Sequence, residues 1–269
     1  MVNKDIFTKL AVIFAIVLSC LQLTACVATP EVRTSMARFD SPEVSRKPFK
    51  VKLAVGTDSQ NEIPLATDES ANMSHITRLS AAMALGYGVE LKYSYAEASK
   101  LSIKYQLLGA PLDEKLPGKV SLAASVAFIH ASPSDRYILN SEIYDPEAEL
   151  YKRNWKSTHK TLDFALIGGY RITNAALLYG SLFYQDGDVR GQTYITPGHI
   201  ENYDLCNEND PCFIEYFNSD GKAYGANLGL EYEIKPWFVI SGELVHHKAQ
   251  WFERNSNQTG ANVNFEFRL

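Results

Sequence analysis

The chain has 269 residues, of which 46% are hydrophobic and 21% charged, and its formal net charge is −5. That length suits one medium domain or two small ones. The acidic balance excludes a protein that holds nucleic acid through bulk positive charge.

At the front, Lys4 and Lys9 precede an apolar run over residues 10–23. The run is too short, and too interrupted by Cys20 and Gln22, for a comfortable membrane span, and reads as an export signal. Its end, Leu23-Thr24-Ala25-Cys26, resembles the lipobox of bacterial lipoproteins. The resemblance implies a signal peptide over 1–25 and a lipid on Cys26, with plain cleavage after Ala28 as the alternative; either way the mature chain leaves the cytoplasm. Val27 after the Cys is, by the same resemblance, compatible with transport to the outer membrane. Residues 26–47 carry Pro30, Pro42 and alternating charges without periodicity. They read as a flexible periplasmic tether that leaves the lipid in the periplasmic leaflet.

From residue 48 onward the chain alternates. Phe49, Val51, Leu53 and Val55 are separated by Lys50, Lys52 and Ala54, and similar runs cover 79–87, 89–95, 101–107, 120–128, 162–170, 176–184, 224–234, 238–244 and 261–269. A period of two marks strands with one apolar face, and the mature chain has no helical period, so the fold is all-β with about ten strands (8–12). Connections at 86–88, 110–118, 172–174 and 235–236 are tight, whereas those on the other side, at 58–74, 131–159, 189–221 and 252–258, are long, apart from a short one near 96–99. Short turns at one end and long loops at the other predict a closed up-and-down antiparallel transmembrane β-barrel over 48–269.

The polar faces mix charge with very small residues, as in Ala223, Gly225, Asn227, Gly229, Glu231 and Glu233. Small residues relieve crowding on a concave wall, which places the polar face inside. A lumen charge network of Lys50, Lys52, Lys92, Lys104, Asp163, Glu231, Glu233, Glu243, Glu266 and Arg268 is expected, because a Lys or Arg facing lipid costs roughly 2–4 kcal/mol at the midplane. Tyr87, Tyr170, Tyr232 and Trp237 lie near strand ends, where headgroups favour aromatic rings.

The segments "GYGVELKYSY", "LIGGYRITNAALLYGSLFY", "YGANLGLEYEIKPWFVISGEL" and the terminal "NVNFEFRL" resemble strand-turn-strand units of the Gram-negative outer-membrane β-barrel superfamily of small barrels. The resemblance implies an outer-membrane location, contact with its lipids, and a last strand read by the barrel-assembly machinery. This chain ends in Leu269, with Phe267 two residues back, where that family usually ends in an aromatic.

Cys206 and Cys212 bracket "NENDP" in an exported chain, so a short disulfide loop is the default. Asp186, Asp188 and His247 are candidates for water activation at the outer rim, with His246 and His130 also at strand ends. The strand number resembles that of the ten-stranded omptin proteases, which use acidic pairs and an Asp-His couple, but their motifs do not map onto this chain residue by residue. Solvated loop acids and a solvated His pair are the plainer reading. No phosphate loop, metal-ligand spacing or basic aromatic stripe is present, so no cofactor, metal or nucleic-acid partner is expected. The leading expectation is a non-enzymatic barrel with a surface-binding or envelope-structural role and an unidentified extracellular ligand. The alternatives are a narrow solute channel, an outer-rim hydrolase, and a lipid-anchored soluble barrel that carries an apolar ligand.

Overall fold

A computed structural model describes residues 31–64, 71–132, 134–139, 151–197, 213–252 and 254–269. Among them are twelve strands: β1 (Glu31–Ser35), β2 (Val51–Pro64), β3 (Asn72–Gly86), β4 (Val89–Ala96), β5 (Ala98–Leu108), β6 (Val120–Ala131), β7 (Ser134–Leu139), β8 (Tyr151–Arg171), β9 (Ala176–Pro197), β10 (Phe213–Lys235), β11 (Phe238–Trp251) and β12 (Arg254–Arg268). Ten of these, β2 to β6 and β8 to β12, pair antiparallel in chain order, and the ring closes where β12 pairs with β2. Through the membrane portion the closed ring leaves no unpaired edge, the condition for crossing a bilayer with strands.

The alternation decides which wall meets lipid. Leu53, Leu101, Ile103, Phe164, Leu228 and Leu244 point outward and are exposed, Leu228 by 58%. Soluble monomers rarely expose contiguous apolar surface on this scale. The lipid-anchored soluble barrel is thereby corrected, because its apolar face would point inward. Tyr87, Tyr170, Tyr232 and Trp237 ring the tight-turn end, and Tyr95, Tyr184 and Tyr224 lie near the other limit of the apolar band. These are the two aromatic girdles of a transmembrane barrel.

Above the band, the outward face of β8 to β11 turns polar at Lys160, Asp186, Lys222 and Lys248 while the ladders continue. β8, β9 and β10 run 21, 22 and 23 residues and project beyond the membrane as one sheet. The expected loops 131–159 and 189–221 are therefore corrected to strand over much of their length. The 252–258 connection likewise shrinks, because β12 begins at Arg254.

The larger difference lies at the amino terminus. β1 pairs with the upper part of β2, Glu31 opposite Pro64 and Ser35 opposite Gln60. From there residues 36–45 descend inside the barrel, buried throughout except for half-buried Phe39, and leave at the tight-turn end, where Phe49 bonds to Ala84. The described part of the expected periplasmic tether, residues 31–47, is thus a plug threaded through the lumen. It carries little hydrophobic periodicity because the wall around it is polar.

Candidate functional site

The lumen and its plug form the candidate site. At the loop end, Val32 and Ile63 pack with Val189, Ala223, Ala249 and Trp251 into an apolar cap. Below it, Asp58 accepts hydrogen bonds from Ser35 Oγ at 2.6 Å and from the Ala37 amide at 2.9 Å. Met36 packs against Phe183, Ile167 and Val245.

The central tier is ionic. Arg38 donates two hydrogen bonds to Asp163, at 2.5 and 2.7 Å, and its guanidinium lies 4.4 Å over the Phe183 ring. Asp163 also accepts from Lys100 at 2.9 Å and from Gln185 at 3.0 Å. Glu243 accepts from the amides of Arg38 and Phe39, at 2.6 and 2.9 Å, and from Asn227 at 2.8 Å. A carboxylate holding two main-chain amides fixes the plug's backbone as well as its side chains. Lys92 pairs with Asp40 at 2.7 Å, and Glu90 takes both Lys52 and Lys104 at 2.7 Å.

Nearer the tight-turn end, Arg171 clamps Glu43 through Nε at 2.9 Å and Nη2 at 2.5 Å. Arg268 gathers Glu231 at 2.6 Å, Glu266 at 2.7 Å and Glu233 at 3.4 Å, and Lys115 also reaches Glu233.

The wall is mixed in charge. Strands β2 to β5 supply Lys52, Arg78, Lys92, Lys100 and Lys104 together with Asp58 and Glu90, whereas β8 to β12 supply Asp163, Glu231, Glu233, Glu243 and Glu266 together with Arg171 and Arg268. The plug pairs with both signs, Arg38 turned to Asp163, Asp40 to Lys92 and Glu43 to Arg171. Small residues give the interior its room: a Cβ on Gly229 would lie 2.4 Å from the Tyr179 ring, and one on Gly225 would lie 2.7 Å from Phe183. Beside Phe39, Ser41 and Tyr179 is a cavity of about 20 Å³, and beside Thr34, Gln60 and His159 one of about 30 Å³. Each holds about one or two waters and no solute.

Of the residues expected to line the lumen, Lys52, Lys92, Lys104, Asp163, Glu231, Glu233, Glu243, Glu266 and Arg268 fall in this network. Lys50 is corrected: it is exposed at the tight-turn mouth, where the chain has already left the lumen. The sequence reading missed Arg38, Asp40 and Glu43, which lay in the supposed tether. Their only signal was charge in a stretch where Val32, Thr34 and Met36 alternate with Arg33 and Ser35.

The rim candidates do not converge. Asp186 and Asp188 face outward, Asp188 beside Arg190 at 3.3 Å, whereas His247 is fully buried on the lumen side, its Nδ1 3.2 Å from Asn61. The barrel wall separates them, so the proposed water-activating trio is corrected. His130 and His246 also face out. Cys26, Cys206 and Cys212 lie outside the described residues. Among the described residues no group of three or more His, Cys, Asp or Glu side chains is placed to hold a metal.

No family model and no curated protein matches the chain. Among solved structures, it is similar to Ail, the attachment invasion locus protein of Yersinia pestis, at 13% identity over 83% of this chain and all of that one, with a TM-score of 0.34. It is also similar to the outer membrane protease OmpT of Escherichia coli, at 12% identity over 91% of this chain and 96% of that one, TM-score 0.32. The outer membrane channel DcaP of Acinetobacter baumannii matches at 6% identity over 92% of this chain and all of that one, TM-score 0.23.

Proposed function

We propose that this chain is a non-enzymatic barrel of the bacterial outer membrane, closed to solutes by its own amino-terminal segment, and that its projecting β8 to β10 sheet is a binding surface. The observation that carries this is the plug: residues 36–45 fill the lumen and are ion-paired to both walls. A narrow channel lined by Lys92, Lys104, Glu231, Glu243 and Arg268 needs a continuous aqueous path, and those side chains are occupied with the plug or with one another. Function then falls to the outward sheet and the connections above it, the part of a rigid scaffold free to vary and to bind.

The same reading includes a lipid on Cys26, a Cys206–Cys212 bridge in the β9–β10 connection, and recognition of β12 by the barrel-assembly machinery. β12 suits that last role because Val263, Phe265 and Phe267 keep the outward alternation to the end of the chain.

The test is planar-bilayer conductance of the refolded mature chain, after a heat-modifiable gel shift has verified the folded barrel. The full chain is expected to be silent, and a variant lacking residues 31–45 to show discrete, salt-dependent steps. Steps from the full chain would overturn the closed-barrel reading.

A further inference from the structure

The plug has a direction. Residue 31 pairs with Pro64 at the loop end of β2, and the chain reaches the tight-turn end at residues 46–49. In a transmembrane barrel the tight turns face the periplasm and the long connections face outward. The described chain therefore begins on the outer side and enters its own barrel from outside.

From this we infer that the mature amino terminus is displayed on the cell surface. A lipid carried on Cys26 then belongs on the outer side of the membrane and not in the periplasmic leaflet. The inference rests on the membrane orientation proposed above.

Chain length makes the placement strict. Cys26 is joined to Glu31 by a stretch that spans at most about 18 Å when fully extended. The apolar band of such a barrel is about 25 Å tall. Glu31 lies opposite Pro64, about 30 Å of strand beyond Val55 at ~3.3 Å per residue. A return to the periplasmic leaflet is longer than the chain allows by any route, and the lumen is already filled.

The thread is also built to stay. Five β1–β2 rungs hold its upper end, the Val32–Trp251 cluster caps it, and Arg38 and Glu43 are tied to Asp163 and Arg171 farther down. The ring is closed by the β12–β2 pairing, so closing it around a segment already in place spares the terminus a later passage through the lumen. Surface display is then a by-product of assembly and needs no separate step to flip the terminus.

The test is accessibility on intact Gram-negative cells expressing the full-length chain. One short epitope is placed after Thr29, a second in the 198–212 connection, and a third in the tight turn at Gly118, where an added side chain meets nothing within 4 Å. Each variant is first checked by the heat-modifiable shift, then probed with antibody before and after outer-membrane permeabilisation. The expected result is equal labelling of the first two epitopes on intact cells and labelling of the third only after permeabilisation.

If the Thr29 epitope needs permeabilisation while the 198–212 epitope does not, the display inference is overturned and the orientation stands. If the Gly118 epitope alone labels on intact cells, the orientation itself is wrong. A further version, exported by a plain signal peptide and carrying Cys26→Ser, separates thread from lipid. Its Thr29 epitope should stay on the surface, and retreat of the epitope in that version would overturn threading as the cause.

Discussion

Asp163→Asn should be among the most damaging single changes in the lumen. Asp163 is 1% exposed and accepts from Arg38, Lys100 and Gln185. The amide keeps the shape, removes the charge and turns an N–H toward a cation, leaving two buried cations without their carboxylate. Breaking a buried pair by removing one partner costs about 3–5 kcal/mol. Arg38→Met should cost less, about 2 kcal/mol, because Asp163 keeps Lys100 and Gln185 while the buried charge total falls. The double variant should then be less damaging than the sum of the singles by about 1–3 kcal/mol, the coupling expected of groups in one network. The assay is urea unfolding of the refolded protein in lipid vesicles, followed by tryptophan fluorescence and by gel mobility. Asp188→Asn serves as the control; its partner Arg190 is exposed, and such pairs are worth at most about 1 kcal/mol. Additive losses, or a loss from Asp163→Asn no larger than the control's, would refute the claim that the plug is locked by this tier.

Three further outcomes are expected. Gly56→Val should lower the yield of heat-modifiable barrel, because a Cβ there would lie 2.5 Å from the Val263 carbonyl and 2.9 Å from Asn264 Cα at the closing seam, whereas Gly242→Val, whose Cβ meets nothing within 4 Å, should not. Leu228→Lys, on the outward face between Tyr224 and Tyr232, should cost roughly 2–4 kcal/mol in vesicle unfolding, and a cost near zero would show that this face does not meet hydrocarbon. Trp251→Ala should cost about 3–5 kcal/mol through the cavity left beneath Val32 and Ile63, and the same urea titration reads it.

How much of this was legible beforehand follows from where a single solvent imposes a pattern. Leu162, Phe164 and Leu166 alternate with inward residues because one side meets lipid, so the membrane portion of every strand could be read from its sequence. Above Lys160 the outward residues of β8, Thr158 and Lys156, are polar, the alternation fades, and residues that continue the ladder to Tyr151 read as loop. The plug was illegible for a related reason. Arg38, Asp40 and Glu43 are buried against charge, and hydrophobic periodicity carries no trace of burial of that kind. The inward direction of Lys92, Glu231 and Glu243 followed from the cost of charge in lipid, but their partners did not, since pairing needs register across the ring. Asp186 and His247 looked like neighbours at one rim, and the parity of their strands puts them on opposite faces.

The short link between plug and wall sets the terms on which anything could compete for the lumen. Residues 46–50 join the two, so the plug acts as an intramolecular ligand whose effective concentration is about millimolar, the range of short flexible linkers. A free peptide of the same sequence would have to match that before occupying half the barrels. Sealing is also first order, independent of how many copies the membrane holds, so each barrel that opens by fluctuation carries its own stopper back.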